Sequence, residues 1–347
     1  MNKTVAVIGG GVTGLAASAS LNRLGYRVLL FEKEAEAGGN VAAWDRLFPS
    51  GRHAREVVDE LVSAIHGNVE LHISTSVSSV EQVNGLFQLH TSGNTTATAD
   101  AVLLATGFEL FRAAIKEEYG YGLFENVITS ADLEKMFARH GKPLMAGGAE
   151  PRKVAFIHCV GSRDEKVNHP HCSKVCCVTA VKQAVEVKEA LPHCEVYNFY
   201  MDLRMFGSGY EQLYKEAQLK GVTFIRGRLS EAGENQHRQV VIKAEDTLAS
   251  KPLKITVDLV VLMVGMTPRR STLPLLASLG LKVNADGFSE IADAHTGSTL
   301  TAMKGVFVAG TCTGPGNIAE SVNEARTAAL QIHEYLDGRK IQSDIFK

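Results

Sequence analysis

The chain is poor in the features that announce a charged or membrane-bound partner. A formal net charge of −2, with no long basic run, excludes the electrostatic footprint of a nucleic-acid binder. No segment reaches the roughly 18 uninterrupted apolar residues of a membrane span. The stretch 5–21 after Lys3 imitates a signal peptide, but three consecutive glycines and Thr13 interrupt it. Six cysteines in 347 residues are too few for a disulfide scaffold. They suit a reducing cytosol, where cysteine serves metal or redox chemistry, so a cytoplasmic location is expected. No repeat of solenoid period is present, and no triad or acid–base pair stands out.

What the chain does have is length for two domains with sizeable cores, at 45% hydrophobic residues. Apolar strand-like runs at 4–8, 27–31, 70–74, 85–90 and 101–105 surround a helical pattern at 14–24. The segment 141–151 is rich in Gly, Pro and Ala and reads as a linker. A second strand–helix system follows: strands at 153–157, 196–200, 222–225 and 258–264, with a helix over about 173–191. A last strand at 305–309 and a helix at 318–336 close the chain. This alternation predicts an α/β fold with mainly parallel sheets. The expected division is a discontinuous first domain, 1–145 with 285–347, and a second domain at 150–284.

Gly9-Gly10-Gly11-Val12-Thr13-Gly14 fits G-x-G-x-x-G between a predicted strand and a predicted helix. Gly9 permits the tight turn, Gly11 lets the backbone approach a pyrophosphate, and Gly14 lets the helix pack on the strand. The phosphates then face the helix N-terminus, whose free N–H groups and dipole favour negative charge. Glu32 ends the second strand, where a carboxylate accepts hydrogen bonds from an adenosine ribose and repels a 2′-phosphate.

Several segments separate FAD from NAD. Glu32, Lys33, Glu34 and then Gly38-Gly39 resemble the E-K-x-x-x-x-G-G extension of FAD-containing disulfide-reductase-like enzymes. Ala105-Thr106-Gly107 resembles their A-T-G motif, and 301–310 (T-A-M-K-G-V-F-V-A-G) their second FAD motif. That motif usually continues with an aspartate; here Gly310 is followed by Thr311 and Cys312. A helix beginning near Asn317-Ile318 aims its positive end at the flavin pyrimidine edge, which stabilises a reduced, anionic ring. Asn40 and Trp44 are placed to approach the flavin, and Lys182 or Arg204 are candidate cations beside it.

The second domain has no matching glycine loop. Its first strand runs into His158-Cys159-Val160-Gly161-Ser162-Arg163-Asp164-Glu165, with one glycine where a nicotinamide loop needs three. Cysteines stand there instead. Cys159, Cys172, Cys176 and Cys177 make C-x12-C-x3-C-C, a set of soft ligands for zinc or an iron–sulfur cluster, between which the spacing does not choose. A vicinal redox dithiol at Cys176-Cys177 is the alternative. Both cysteines open the predicted helix, whose dipole lowers thiol pKa values. Cys194 and Cys312 are expected to pack rather than ligate. His158, His169 and His171 flank the thiols and are assigned supporting or surface places.

The stretch 156–182 closely resembles the signature of the heterodisulfide reductase A family. So do Tyr119-Gly120-Tyr121-Gly122, 126–130 (N-V-I-T-S), 201–210 (M-D-L-R-M-F-G-S-G-Y), 221–228, Gly265-Met266-Thr267-Pro268 and 314–322. The resemblance implies a thioredoxin-reductase-like flavoprotein with a Rossmann-type FAD domain and a second Rossmann-like domain lacking a nicotinamide loop. It implies FAD held around Gly9, Gly11, Gly14, Glu32, Lys33, Gly38, Gly39, Asn40, Thr106, Gly107, Gly310, Thr311 and Ile318. It also implies a 4Fe–4S cluster on Cys159, Cys172, Cys176 and Cys177. The terminal ferredoxin-type motifs of full-length methanogen members are not in this sequence, which resembles the short form found in heterodisulfide-reductase-like complexes of sulfur-oxidising bacteria. Expected from this are electron transfer in sulfur-compound oxidation, partners resembling heterodisulfide reductase B and C, and a homodimer. The competing expectation is a nicotinamide-dependent disulfide reductase using Cys176-Cys177.

Overall fold

A computed structural model describes residues 3–338; the outermost parts of the expected first domain, 1–2 and 339–347, lie outside the described residues. The chain divides into two units. One comprises the described parts of Met1–Ala42, Arg55–Glu109 and Thr267–Lys347, and the other Ala43–Ala54 with Leu110–Met266.

The first unit is built on a five-stranded parallel sheet in the order Val306–Val308, Ala101–Leu104, Thr4–Ile8, Arg27–Phe31, Val69–His72. Its three middle strands are almost continuous runs of Val, Leu, Ile and Ala, as burial on both faces of a parallel sheet requires. The helix Val12–Arg23 lies on this sheet through small residues, Ala16, Ala17, Ser18 and Ala19, all buried. The long helix Ile318–Asp337 packs into the same core through Ala325, Ala328, Ala329 and Ile332. On the other side sits an antiparallel sheet, Val77–Val83, Leu86–Thr91 and Thr96–Ala99. It sends Val80, Phe87 and Leu89 inward at alternate positions. Each such side chain withdrawn from water contributes about 1.5–3 kcal/mol.

The second unit repeats the plan. Its parallel sheet runs Val127–Thr129, Leu259–Val264, Lys153–Val160, Glu195–Tyr200, Thr223–Arg226. Helices Cys176–Ala190, Ser130–His140 and Tyr210–Leu219 contribute to one core, and a three-stranded antiparallel sheet, Leu229–Glu234, Val240–Asp246 and Lys251–Val257, to another.

The boundaries differ from expectation. Residues 110–145 belong to the second unit, because Val127–Thr129 pairs in parallel with Leu259–Val264 and Leu133 and Phe137 are buried in its core. The segment 141–151 is therefore an irregular stretch inside that unit, not a linker between domains. Conversely, 267–284 belongs to the first unit, where Leu275, Leu276 and Leu279 join Val80 and Phe87 in one cluster. Residues 43–54 leave the first unit for the second, and Trp44 goes with them.

Candidate cofactor and thiol sites

Every segment expected at the nucleotide site follows the carboxyl end of a strand in the first unit's parallel sheet, and so lies along one edge of it. The glycine loop follows Thr4–Ile8, Glu32 follows Arg27–Phe31, Thr106 and Gly107 follow Ala101–Leu104, and Gly310 and Thr311 follow Val306–Val308. Ligands of open α/β sheets bind along this edge.

The glycines differ in what confines them. A Cβ on Gly14 would lie 1.8 Å from the Gly9 carbonyl oxygen, and one on Gly9 would lie 2.3 Å from the Ala105 carbonyl oxygen. Both are required by the fold itself. A Cβ on Gly11 would meet only the Gly39 Cα, at 3.9 Å, so the space in front of Gly11 is open. Gly11 caps Val12–Arg23 without a side-chain acceptor. A concave, uncapped helix start fits the pyrophosphate of a dinucleotide. Gly38 N–H donates to the Gly10 carbonyl at 2.8 Å, which brings Gly38 and Gly39 against Gly11.

Glu32 is buried behind this loop. Its Oε2 accepts from Gly10 N–H at 2.7 Å and its Oε1 from Glu34 N–H at 2.9 Å, so it shapes the loop directly. Lys33 is exposed and pairs with Glu34 at 3.5 Å. Asn40 Nδ2 donates to the Phe108 carbonyl at 3.3 Å, placing it beside Thr106 and Gly107. The Thr311 hydroxyl lies 3.8 Å from where a Gly107 Cβ would stand. Gly310 has φ +75° and packs so tightly on Thr13 that a Cβ would fall 2.2 Å from its hydroxyl. Ile318 opens the last helix under a capping box formed by Asn317 and Glu320.

Three residues at this edge are not legible from sequence spacing: Thr13, Glu324, whose Oε2 accepts from Gly310 N–H at 2.7 Å, and Arg269, whose guanidinium donates to the Phe108 carbonyl at 2.8 Å. A carboxylate fourteen residues from its partner and an arginine in another segment leave no local pattern to read.

The thiols lie at the equivalent edge of the second sheet. Strand Lys153–Val160 slips register between Ile157 and Val160, and Cys159 adopts a left-handed φ of +58°. Such a bulge re-aims a side chain. The helix Cys176–Ala190 then brings Cys176 and Cys177 to Cys159, all three buried. Cys176 hydrogen-bonds to both neighbours; this raises its own pKa and lowers those of Cys159 and Cys177. His158 is buried, donates from Nε2 to Asn198 Oδ1 over 2.9 Å, and holds Cys177 further toward thiolate. Burial alone would discharge His158, but Cys177 and Asn198 more than offset it and its pKa is raised. Cys194 and Cys312 are buried, and desolvation pushes both thiols up to about 11, as expected of packing cysteines.

Cys172 is partly exposed on the loop after Gly161, and its sulfur accepts from Lys174 N–H at 3.4 Å. That loop is pinned. Buried Asp164 accepts from Lys116 at 2.9 Å and Arg228 at 2.8 Å, while Ser162 and Ser173 bond at 2.5 Å. His171 bonds to the Met266 carbonyl. Cys159, Cys176 and Cys177 are thus linked to one another, and Cys172 bonds to the backbone of its own loop. Among the described residues no group of three or more His, Cys, Asp or Glu is arranged to hold a metal ion. The sulfur donors suit a soft metal; the fourfold arrangement is not formed.

Of the two expected flavin cations, Lys182 is buried between Glu134 at 2.6 Å and Glu186 at 3.1 Å, and Arg204 pairs with Asp202 at 3.3 Å. Glu134 also accepts from Gln183 at 2.6 Å and from Asp45 N–H at 3.0 Å. Burial pushes the Glu186 carboxyl up to about 8 despite Lys182.

A glycine-lined sheet edge in one α/β unit and clustered thiols in another define an oxidoreductase of the thioredoxin-reductase fold. The solved thioredoxin reductase of T. acidophilum matches with a TM-score of 0.68 over 97% of this chain and 99% of that one, at 21% identity. The chain belongs to the pyridine nucleotide-disulphide oxidoreductase family, whose pattern covers residues 3–157 and 177–331. The unmatched stretch between them, 158–176, carries His158, Cys159, Cys172 and Cys176.

The resemblance to the heterodisulfide reductase A family is borne out among curated proteins. In Methanocaldococcus jannaschii, the iron-sulfur component A of CoB–CoM heterodisulfide reductase is 32% identical over 96% of this chain. In Methanothermobacter thermautotrophicus, component A of the H(2):CoB-CoM heterodisulfide,ferredoxin reductase is 42% identical over 66% of it. The chain spans 64% and 36% of these relatives' lengths. Among the described residues no helix is long and apolar enough to cross a membrane.

Proposed function

We propose that the chain is an FAD- and iron–sulfur-containing electron-transfer subunit of a heterodisulfide-reductase-like complex. The observation that carries this reading is the trio Cys159, Cys176 and Cys177, buried beside His158 where the family pattern breaks off. FAD, when bound, supplies exchange of two electrons. Gly11 and the start of Val12–Arg23 receive its phosphates, Gly38, Gly39 and Asn40 close the adjoining wall, and Thr106, Gly107, Gly310, Thr311 and Ile318 line the rest, with Glu32 and Lys33 at the adenosine end. Cys159, Cys172, Cys176 and Cys177 are the proposed ligands of a 4Fe–4S cluster; the pinned loop must bring Cys172 to the other three. Partners resembling heterodisulfide reductase B and C rest on the relatives' names and the sequence motifs; the homodimer and the role in sulfur-compound oxidation rest on the sequence resemblance alone, and the cytoplasmic location on cysteine usage. Anaerobic purification with visible and EPR spectra, plus flavin, iron, sulfide and zinc analysis, tests this. Colourless, iron-free protein sinks it.

One observation favours a second reading. The direct Cys176–Cys177 hydrogen bond, with one thiol pushed up and the other down, is the pattern of an activated dithiol. A disulfide reductase of that kind bleaches rapidly with NADH or NADPH, whereas the electron-transfer protein does not.

A further inference from the structure

We infer that Arg269 is an FAD-binding residue, its guanidinium fixed at the carboxyl edge of the first unit's sheet to face an anionic part of the dinucleotide. The inference rests on the proposed flavin site. Arg269 lies in the connection after Pro268, and one guanidinium nitrogen donates to the Phe108 carbonyl at 2.8 Å. Asn40, a proposed flavin contact, donates to the same carbonyl at 3.3 Å. Three residues on, Thr272 Oγ1 donates to Thr106 Oγ1 at 2.7 Å, and the Thr272 N–H donates to the Arg269 carbonyl at 3.0 Å. The arginine backbone is thereby tied to the Thr106-Gly107 turn at the flavin edge.

What remains of the side chain lacks a structural partner. Arg269 Nε is buried with no hydrogen-bond acceptor, and among the described residues no carboxylate pairs with this guanidinium. The buried lysines differ: Lys116 has Asp164 and Glu118, and Lys182 has Glu134 and Glu186. A partly buried guanidinium held by a carbonyl alone is electrostatically incomplete, since a carbonyl accepts a hydrogen bond but carries no net charge. Arginine presents five N–H donors in a rigid fork suited to planar or phosphate oxygens. FAD offers two anionic groups of that description, the pyrophosphate and the N1–C2 oxygen edge of the reduced ring.

The test is FAD titration of deflavinated protein, and dye-equilibrated flavin midpoint potential, for wild type, Arg269→Lys, Arg269→Gln and Arg269→Met. If the pyrophosphate is the partner, Arg269→Met weakens FAD about tenfold or more, Arg269→Lys recovers part of it, and the potential of bound flavin is unchanged. If the ring edge is the partner, flavin content is kept and the midpoint potential falls in Arg269→Gln and Arg269→Met but not in Arg269→Lys. Arg269→Gln keeps a donor for the Phe108 carbonyl and answers the question should Arg269→Met fail to fold. Wild-type FAD affinity and potential in Arg269→Gln overturn the inference, whatever happens to thermal stability. Wild-type protein that takes up no FAD overturns instead the flavin reading itself.

Discussion

Two glycines three residues apart carry different burdens, and substitution separates them. The Cβ added by Gly11→Val makes only an ordinary contact with the Gly39 Cα at 3.9 Å, so the variant should fold and lose FAD at least about tenfold, read by flavin content after purification. Gly14→Ala drives a methyl into the Gly9 carbonyl and should fail as soluble protein, with or without FAD. Cys176 bonds to both other thiols, so Cys176→Ser is expected to cost most of the iron and sulfide while leaving a full flavin complement, since the glycine loop lies in the other unit. Glu186 supplies a pH prediction. Its folded pKa is raised to about 8, so the folded state holds a proton that the unfolded chain has released above its ordinary value near 4.5. Stability from this group is therefore full at low pH and declines as pH rises toward 8. Glu186→Gln keeps the shape of the carboxyl without its charge; it should equal wild type near pH 4 and exceed it at pH 8–9 by on the order of 2 kcal/mol, measured by denaturant unfolding. At this scale the glycine fingerprint and Glu32 were legible because their task is local, set by backbone and nearest turn. Arg269 and Glu324 were not, because a guanidinium or carboxylate brought from a remote segment leaves no spacing in the chain.

The helices that matter begin at the sites. Ile318–Asp337 starts under a reciprocal Asn317–Glu320 box, and Asn317→Ala should cost about 1 kcal/mol, lowering the melting temperature by about 2–4 °C. Cys176–Ala190 starts later than the expected 173, because Ser173 turns its hydroxyl to Ser162 and to Met266 N–H rather than entering the helix. Parallel strands were legible as short continuous apolar runs. The antiparallel sheet at 229–257 was not: Leu229–Glu234 has one buried residue among exposed and half-buried ones, so neither an apolar run nor a clean alternation marks it. The helices Ala54–Ser63 and Ser130–His140 do carry a helical period, through Val57, Val58, Leu61 and Val62 in one and Leu133, Met136 and Phe137 in the other, so both were present in the sequence pattern without being singled out.

For the molecule as a whole, the decisive measurement is the ratio of flavin to iron in one oxygen-free preparation, with NADH added afterwards. Flavin and iron together, without rapid bleaching, is the expected outcome. The amino-acid sequence alone determined two nucleotide-type α/β units, the glycine loop that opens the first and the thiols that replace a glycine loop in the second. Those features follow from hydrophobic period and from residues whose conformational demands are satisfied within a few positions. Only the tertiary structure decided where the units divide, because the strand Val127–Thr129 is claimed by hydrogen bonds to Leu259–Val264, far along the chain. It alone brought Cys176 and Cys177 against Cys159 and left Cys172 partly exposed on its loop: a bulge at Cys159 and a loop pinned by Lys116 and Arg228 set that arrangement, and neither is written in the spacing of the cysteines.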